Sequence, residues 1–153
     1  MLDFKSKTYI RFSAGNDPIS WAIQARTACK WSHCDLLLPD GSLLGSLPGG
    51  GVQARSRIHG ETRFAICEVP VVEGASWAES QIGKPYDWGA VLGLASPLPI
   101  RRNWADPHFF FCSELAFLSI AHAGLNLLQP HSWGITPRDL WCSSLVTEIT
   151  TTE

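Results

Sequence analysis

The sequence predicts one α+β domain spanning residues 1–153, in which a small antiparallel sheet packs on the helix that carries a single candidate nucleophile, Cys112. Three observations lead there. Residues 7–12 (KTYIRF) and 63–69 (RFAICEV) alternate apolar and polar side chains and are rich in β-branched and aromatic types, the period-two signature of strands. From Cys112 to Ala123 there is no Pro or Gly, apolar residues recur at helical spacing (Leu115 and Leu118; Ala116, Ile120 and Ala123), and Gly124 follows as a stop. At 153 residues the chain fits one domain and is long enough to bury a core without staples.

The elements follow in order. After the first strand, Asp17-Pro18 reads as an N-cap with Pro at the first helical position, opening a helix over 18–28. Residues 31–38 form a second strand, and Pro39-Asp40-Gly41 turns the chain into a hairpin with 42–47. Residues 48–51 (PGGG) interrupt the pairing, 52–55 resume as a short strand, and 63–69 complete the sheet of the first half. Residues 72–82 read as a helix, 83–89 (GKPYDWG) as an aromatic turn, and 97–107 as an irregular connection bearing Arg101 and Arg102, where a substrate would enter. After the Cys112 helix come a loop around 129–134, a short helix from Thr136-Pro137 to Trp141, and a closing strand over 145–150.

Composition excludes several classes. With hydrophobics at 45% and charged residues at 17%, the chain has apolar surface enough to fold and is not disordered. A net charge of -2 and no basic run beyond Arg101-Arg102 argue against a nucleic-acid partner. No apolar run approaches the roughly 18 residues of a membrane span, and residues 1–5 lack the order of a signal peptide, so the expectation is a cytoplasmic protein as synthesised. The five cysteines (Cys29, Cys34, Cys67, Cys112, Cys142) show no paired spacing and read as reduced thiols rather than a disulfide framework or zinc ribbon.

Cys112 stands at a helix N-terminus, where unpaired backbone N–H groups and the positive end of the helix dipole favour a thiolate and an adjacent oxyanion. A cysteine nucleophile needs a base, and His33, at the start of the second strand, is the best placed. His59 and His131 fall in loops, and His122 lies on the Cys112 helix nearly three turns away. His108 is only four residues upstream, but Pro107 and the Phe run put it outside the helix. The competing account of Cys112 is a small buried hydrophobe. A zinc site from Cys29, His33 and Cys34 with Cys112 or Cys142 is disfavoured because adjacent strand residues point to opposite faces, and no metal or other cofactor is expected.

These residues carry a resemblance. The segments 83–89 (GKPYDWG) and 111–115 (FCSEL) resemble the G-x-P-Y-x-W-G and D-C-S-G-L motifs of NlpC-type cysteine peptidases, and 31–41 (WSHCDLLLPDG) resembles their histidine strand, S-H-V-x-I-x-L-x-x-G. The order is reversed, histidine before cysteine, which is similar to the circularly permuted papain-like branch that includes YiiX-like hydrolases and, more distantly, lecithin retinol acyltransferases. Residues 135–140 (ITPRDL) resemble the segment after the cysteine helix in that branch, and the likeness runs from about Tyr9 to Leu140.

The resemblance implies a permuted papain-like fold and a cysteine hydrolase, either a peptidase or amidase or a thiol esterase, with acyl transfer as a variant. Cys112 would be the nucleophile, His33 the base and acid, and Tyr86 an oxyanion donor lining the site. The family's third polar residue falls nearest Gly45, which has no side chain, so Ser46 is expected to orient His33, with Asp35 or no orienter as alternatives. Glu114 stands where wall-cutting members carry Gly, so their substrate does not carry over. A peptide, a peptidoglycan fragment and a lipid or acyl donor all suit the centre, and the oligomeric state is not readable. Trp88, Trp104 and Trp133 read as packing residues. The alternative from another class is a catalytically idle binding module of the same fold, for example a phage or cell-envelope component.

Overall fold

The computed structural model describes residues 2–56, 61–95, 108–129 and 134–152. His59, Arg101, Arg102, Trp104, His131, Trp133 and the connection expected over 97–107 lie outside these residues. Alternating apolar residues give strands β1 (Thr8–Gly15), β2 (His33–Leu37), β3 (Leu43–Leu47), β4 (Gly51–Arg55), β5 (Glu61–Val69) and β6 (Thr147–Thr152). They form one antiparallel sheet in the order β4-β3-β2-β1-β5-β6. Gly41 takes a φ of 83° in the β2–β3 turn, a backbone state that favours glycine.

One face of the sheet builds the core. Register sets Phe12 opposite Cys34 and Ala65, and Ile10 opposite Leu36 and Cys67, and all six side chains are buried. Against this face packs α4 (Cys112–His122), whose Leu115, Ala116 and Ile120 are buried. Each large aliphatic side chain fully buried this way contributes about 1.5–3 kcal/mol. Gly124, at φ 96°, stops the helix. The helix α5 (Pro137–Trp141) begins with a capping box in which Thr136 and Asp139 satisfy each other's backbone amides. Its Trp141 ring packs edge-on against Phe12 and Trp31.

The first helix, α1 (Pro18–Thr27), starts where Asp17 accepts hydrogen bonds from the amides of Ile19 and Ser20. Three elements differ from expectation. The helix expected over 72–82 shrinks to α2 (Ser76–Glu79), because Glu73 has a positive φ of 56° and the Gly74 amide is drawn onto Thr8 Oγ1 at 2.8 Å. A helix not expected, α3 (Trp88–Ala95), follows the aromatic turn, with Asp87 Oδ1 accepting from the Ala90 amide at 2.9 Å. The last strand starts two residues later than read, after the Val146 amide turns back onto the Ser143 carbonyl.

Candidate active site

The site lies where the sheet parts. β2 and β3 pair only at Leu36↔Leu44 and Leu37↔Leu43, and the register that would continue to Asp35–Gly45 and Cys34–Ser46 is not formed. The Leu38 amide bonds the Ser42 carbonyl, so by alternation the even-numbered amides of β2 face β3, and that of Cys34 faces the gap. Into this gap comes the segment before α4. The Phe110 carbonyl accepts from Ser46 Oγ at 2.7 Å and from the Asp87 amide at 3.1 Å, while the Phe110 amide donates to the Pro85 carbonyl at 3.3 Å. Behind it, the Lys84 carbonyl takes the Val52 amide at 2.8 Å; Gly51, with φ 66°, stays a glycine because a Cβ there would strike that carbonyl. Ser113 Oγ donates to the Ile135 carbonyl at 2.5 Å, fastening the first turn of α4 to the segment before α5.

This scaffold brings Cys112 and His33 into hydrogen-bonding contact. Cys112 begins α4, and the N-cap Phe111 offers no side-chain cap, so the dipole end faces the sulfur. Its side chain is buried, which disfavours a charge, but hydrogen bonds from the Cys34 thiol and amide, together with the charge and hydrogen bond of His33, hold its pKa well below the ordinary 9.0. Burial likewise opposes a charged His33, yet the Asp35 carboxylate and the Cys112 sulfur outweigh it and the imidazole is pushed up to about 10. The resting state this favours is an imidazolium–thiolate pair. Cys34, buried and donating to that sulfur, has its own pKa driven well above 9.0.

The partner of His33 corrects the expectation that Ser46 would fill that place with no carboxylate involved. Nε2 of His33 lies 2.9 Å from Oδ1 of Asp35, a carboxylate with no exposed side-chain surface, which leaves Nδ1 for the sulfur. Ser46 lies on the core face and its hydroxyl is committed to Phe110. Asp35 pays desolvation on burial, but His33 and then Arg55 lower its pKa, so it stays ionised. Arg55 Nη2 donates to Oδ2 at 2.7 Å. The signal for Asp35 was in the sequence: two residues apart on one strand, His33 and Asp35 share a face. Arg55 gave no signal of its own.

Tyr86 is buried, its ring 6.0 Å from that of Phe111 and 5.5 Å from that of Trp88; burial and then the charge of Cys112 raise its pKa, which keeps the hydroxyl neutral. Trp88, read as packing, is 48% exposed on the site's flank. Of the other histidines, His122 is exposed and stacks on Trp77, and His108 precedes α4 on the surface. Cys142 is exposed, whereas Cys67 is buried and pushed up to about 12 by that burial and by Glu148.

The chain is therefore an α+β protein with a buried Cys–His–Asp constellation at a helix N-terminus. Among solved structures, the crystal structure of metalloprotein yiiX from Escherichia coli O157:H7 is similar, with a TM-score of 0.75 at 17% identity, covering 98% of this chain and 99% of that one. At that identity the likeness shows a shared fold. No protein-family model matches the sequence, and no curated protein matches it. Among the described residues no group of three or more His, Cys, Asp or Glu side chains suits a metal ion. No described helix is long and apolar enough to cross a membrane.

Proposed function

We propose that the protein is a cysteine hydrolase of circularly permuted papain-like type, acting on an amide or ester through a covalent acyl-enzyme. The observation that carries this reading is the His33 ring, held between the Cys112 sulfur and the Asp35 carboxylate. The Cys112 thiolate attacks the acyl carbon. The oxyanion is held by amides of the first turn of α4 and by the Tyr86 hydroxyl. Protonated His33 gives its Nδ1 proton to the departing amine or alcohol, then takes one from the water that cleaves the thioester, while Asp35 keeps Nε2–H oriented and supports the imidazolium. All of this uses the chain's own residues.

The idle binding module loses its main support once Asp35 supplies the third residue that Gly45 cannot. The substrate class stays within peptides, peptidoglycan fragments and lipid or acyl donors. Incubation with an acyl or epoxide probe followed by intact mass tests the reading. A single adduct mapping to Cys112 and lost in His33→Ala is expected, whereas no adduct on Cys112 in the folded protein sinks it.

A further inference from the structure

Resting on that reading of Cys112, His33 and Asp35, we infer that Arg55 is a positioning residue of the same centre: its guanidinium clamps the Asp35 carboxylate and, through it, limits how tightly the cysteine and histidine hold their protons. The register of the sheet delivers it. Gln53 pairs with Gly45 and Arg55 with Leu43, so Arg55 stands on the face shared by Gly45, His33 and Asp35, and the missing side chain at position 45 leaves room for the Asp35 carboxylate that meets it. Nη2 bonds Asp35 Oδ2 at 2.7 Å and lies 3.3 Å from His33 Nε2. With Nε2–H donating to Asp35, that second approach is a contact between two cationic groups rather than a hydrogen bond. The carboxylate is thus shared: Oδ1 serves the imidazole and Oδ2 the guanidinium.

Arg55 is a poor candidate for a merely structural pair. Its side chain is 13% exposed, and Nε and Nη1 are buried with no hydrogen-bond partner among the described residues. A buried ion pair with unmet donors stabilises a fold weakly at best. Its place at the imidazole accounts for it better. The charged groups facing His33 are Asp35 on its own strand, Arg55 on β4 and Cys112 on α4. The Cys34 thiol bonds the sulfur, the buried Tyr86 hydroxyl feels its charge, and Arg11 on β1 stands opposite Asp35 in register, its guanidinium over the Phe64 ring. With thiolate, imidazolium, carboxylate and guanidinium present, the four central charges cancel. Removing the guanidinium leaves the cluster net negative, so every remaining group binds protons more tightly.

The test is the pH dependence of Cys112 alkylation by iodoacetamide, from about pH 4 to 10, which needs no substrate. In the wild type the rate should rise at low pH as the thiolate forms and change again as the imidazolium is lost. Arg55→Met should move both inflections upward by on the order of one pH unit. Arg55→Lys should return them toward the wild type, and in an Asp35→Asn background the effect of Arg55→Met should largely vanish. Circular dichroism checks folding. If Arg55→Met fails to fold, Arg55→Gln against Arg55→Lys makes the same comparison, and identical profiles overturn the inference. Unmoved inflections in a folded Arg55→Met overturn it too, while leaving the hydrolase reading intact. Wild-type Cys112 that does not react at pH 6 defeats that reading itself.

Discussion

Gly45 lies so close to Asp35 that a Cβ on the glycine would overlap Oδ1 of the carboxylate, the oxygen that holds His33. Gly45→Ala must therefore displace Asp35 or open the gap between β2 and β3. The expected result is slower probe labelling of Cys112 together with a stability loss of about 1–3 kcal/mol, the usual cost of overpacking. Urea denaturation and labelling kinetics on the same variant read both, and a variant equal to wild type in both would show the contact to be idle.

Asp35 and Ser46 should separate by their variants. Asp35→Asn keeps the size but removes the charge that supports the imidazolium, and turnover of an acyl substrate should fall by on the order of 10²–10⁴, the range for disabling acid–base catalysis. Ser46→Ala loses a hydrogen bond to the Phe110 carbonyl, worth about 1 kcal/mol of stability, and should cost far less activity. The reverse order would return the orienting role to the serine.

Cys112 should be the first thiol alkylated by iodoacetamide at pH 6, where a thiol of pKa near 8.5 is less than about one per cent ionised. Burial holds Cys34 and Cys67 protonated, whereas His33 and Cys34 favour the thiolate of Cys112. His33→Ala should slow the reaction markedly. Peptide mapping after partial labelling decides it, and modification of Cys29 or Cys142 ahead of Cys112 would contradict the geometry.

Stability should change with pH in a characteristic way. His33, raised to about 10 from 6.5, contributes stability that is full below about 6.5 and is lost as pH rises toward 10. Cys112, lowered from 9.0, contributes stability that is full above about 9 and is lost as pH falls through its folded value. Between about 6.5 and 9 the folded and unfolded pairs bind the same single proton, so these two contributions offset and the urea midpoint should stay level. Asp35, with its pKa lowered, adds a further loss as pH falls below the ordinary carboxylate range. Cys112→Ala should turn the level stretch into a decline with rising pH. A wild type that already declined across that stretch would mean that the ion pair is not the resting state.

How much of this was legible follows from where the information sat. Asp17-Pro18, Gly41, Gly124 and Thr136-Pro137 acted locally, through caps and positive φ, and were read from short windows. The length of α2 depended on Thr8, more than sixty residues away, capturing the Gly74 amide. The Asp87 cap of α3 is equally local, but it sits inside an aromatic turn whose Pro and Gly residues argue against a helix. At the site, Cys112 and His33 were named from their own contexts. The resemblance implies an orienter on the next strand, whereas period-two alternation puts Asp35 on the same face as His33. Adjacent His33 and Cys34 both touch Cys112, which an ideal pleat forbids; only the parting of β2 from β3 permits it, and no pattern in either strand announces that.

The edge of the sheet at β5 carries a consequence for synthesis. The ribosome delivers β1 to β5 together, but the strand that covers β5 is β6, which does not begin until Thr147. Until then β5 presents a row of unpaired amides and carbonyls, a template on which another nascent chain can add its own strand. Cys112 is delivered within that interval, after His33, Asp35 and Arg55 but before the strand that closes the edge. The growing chain thus carries its whole Cys–His–Asp constellation while one edge of its sheet is still open to other chains.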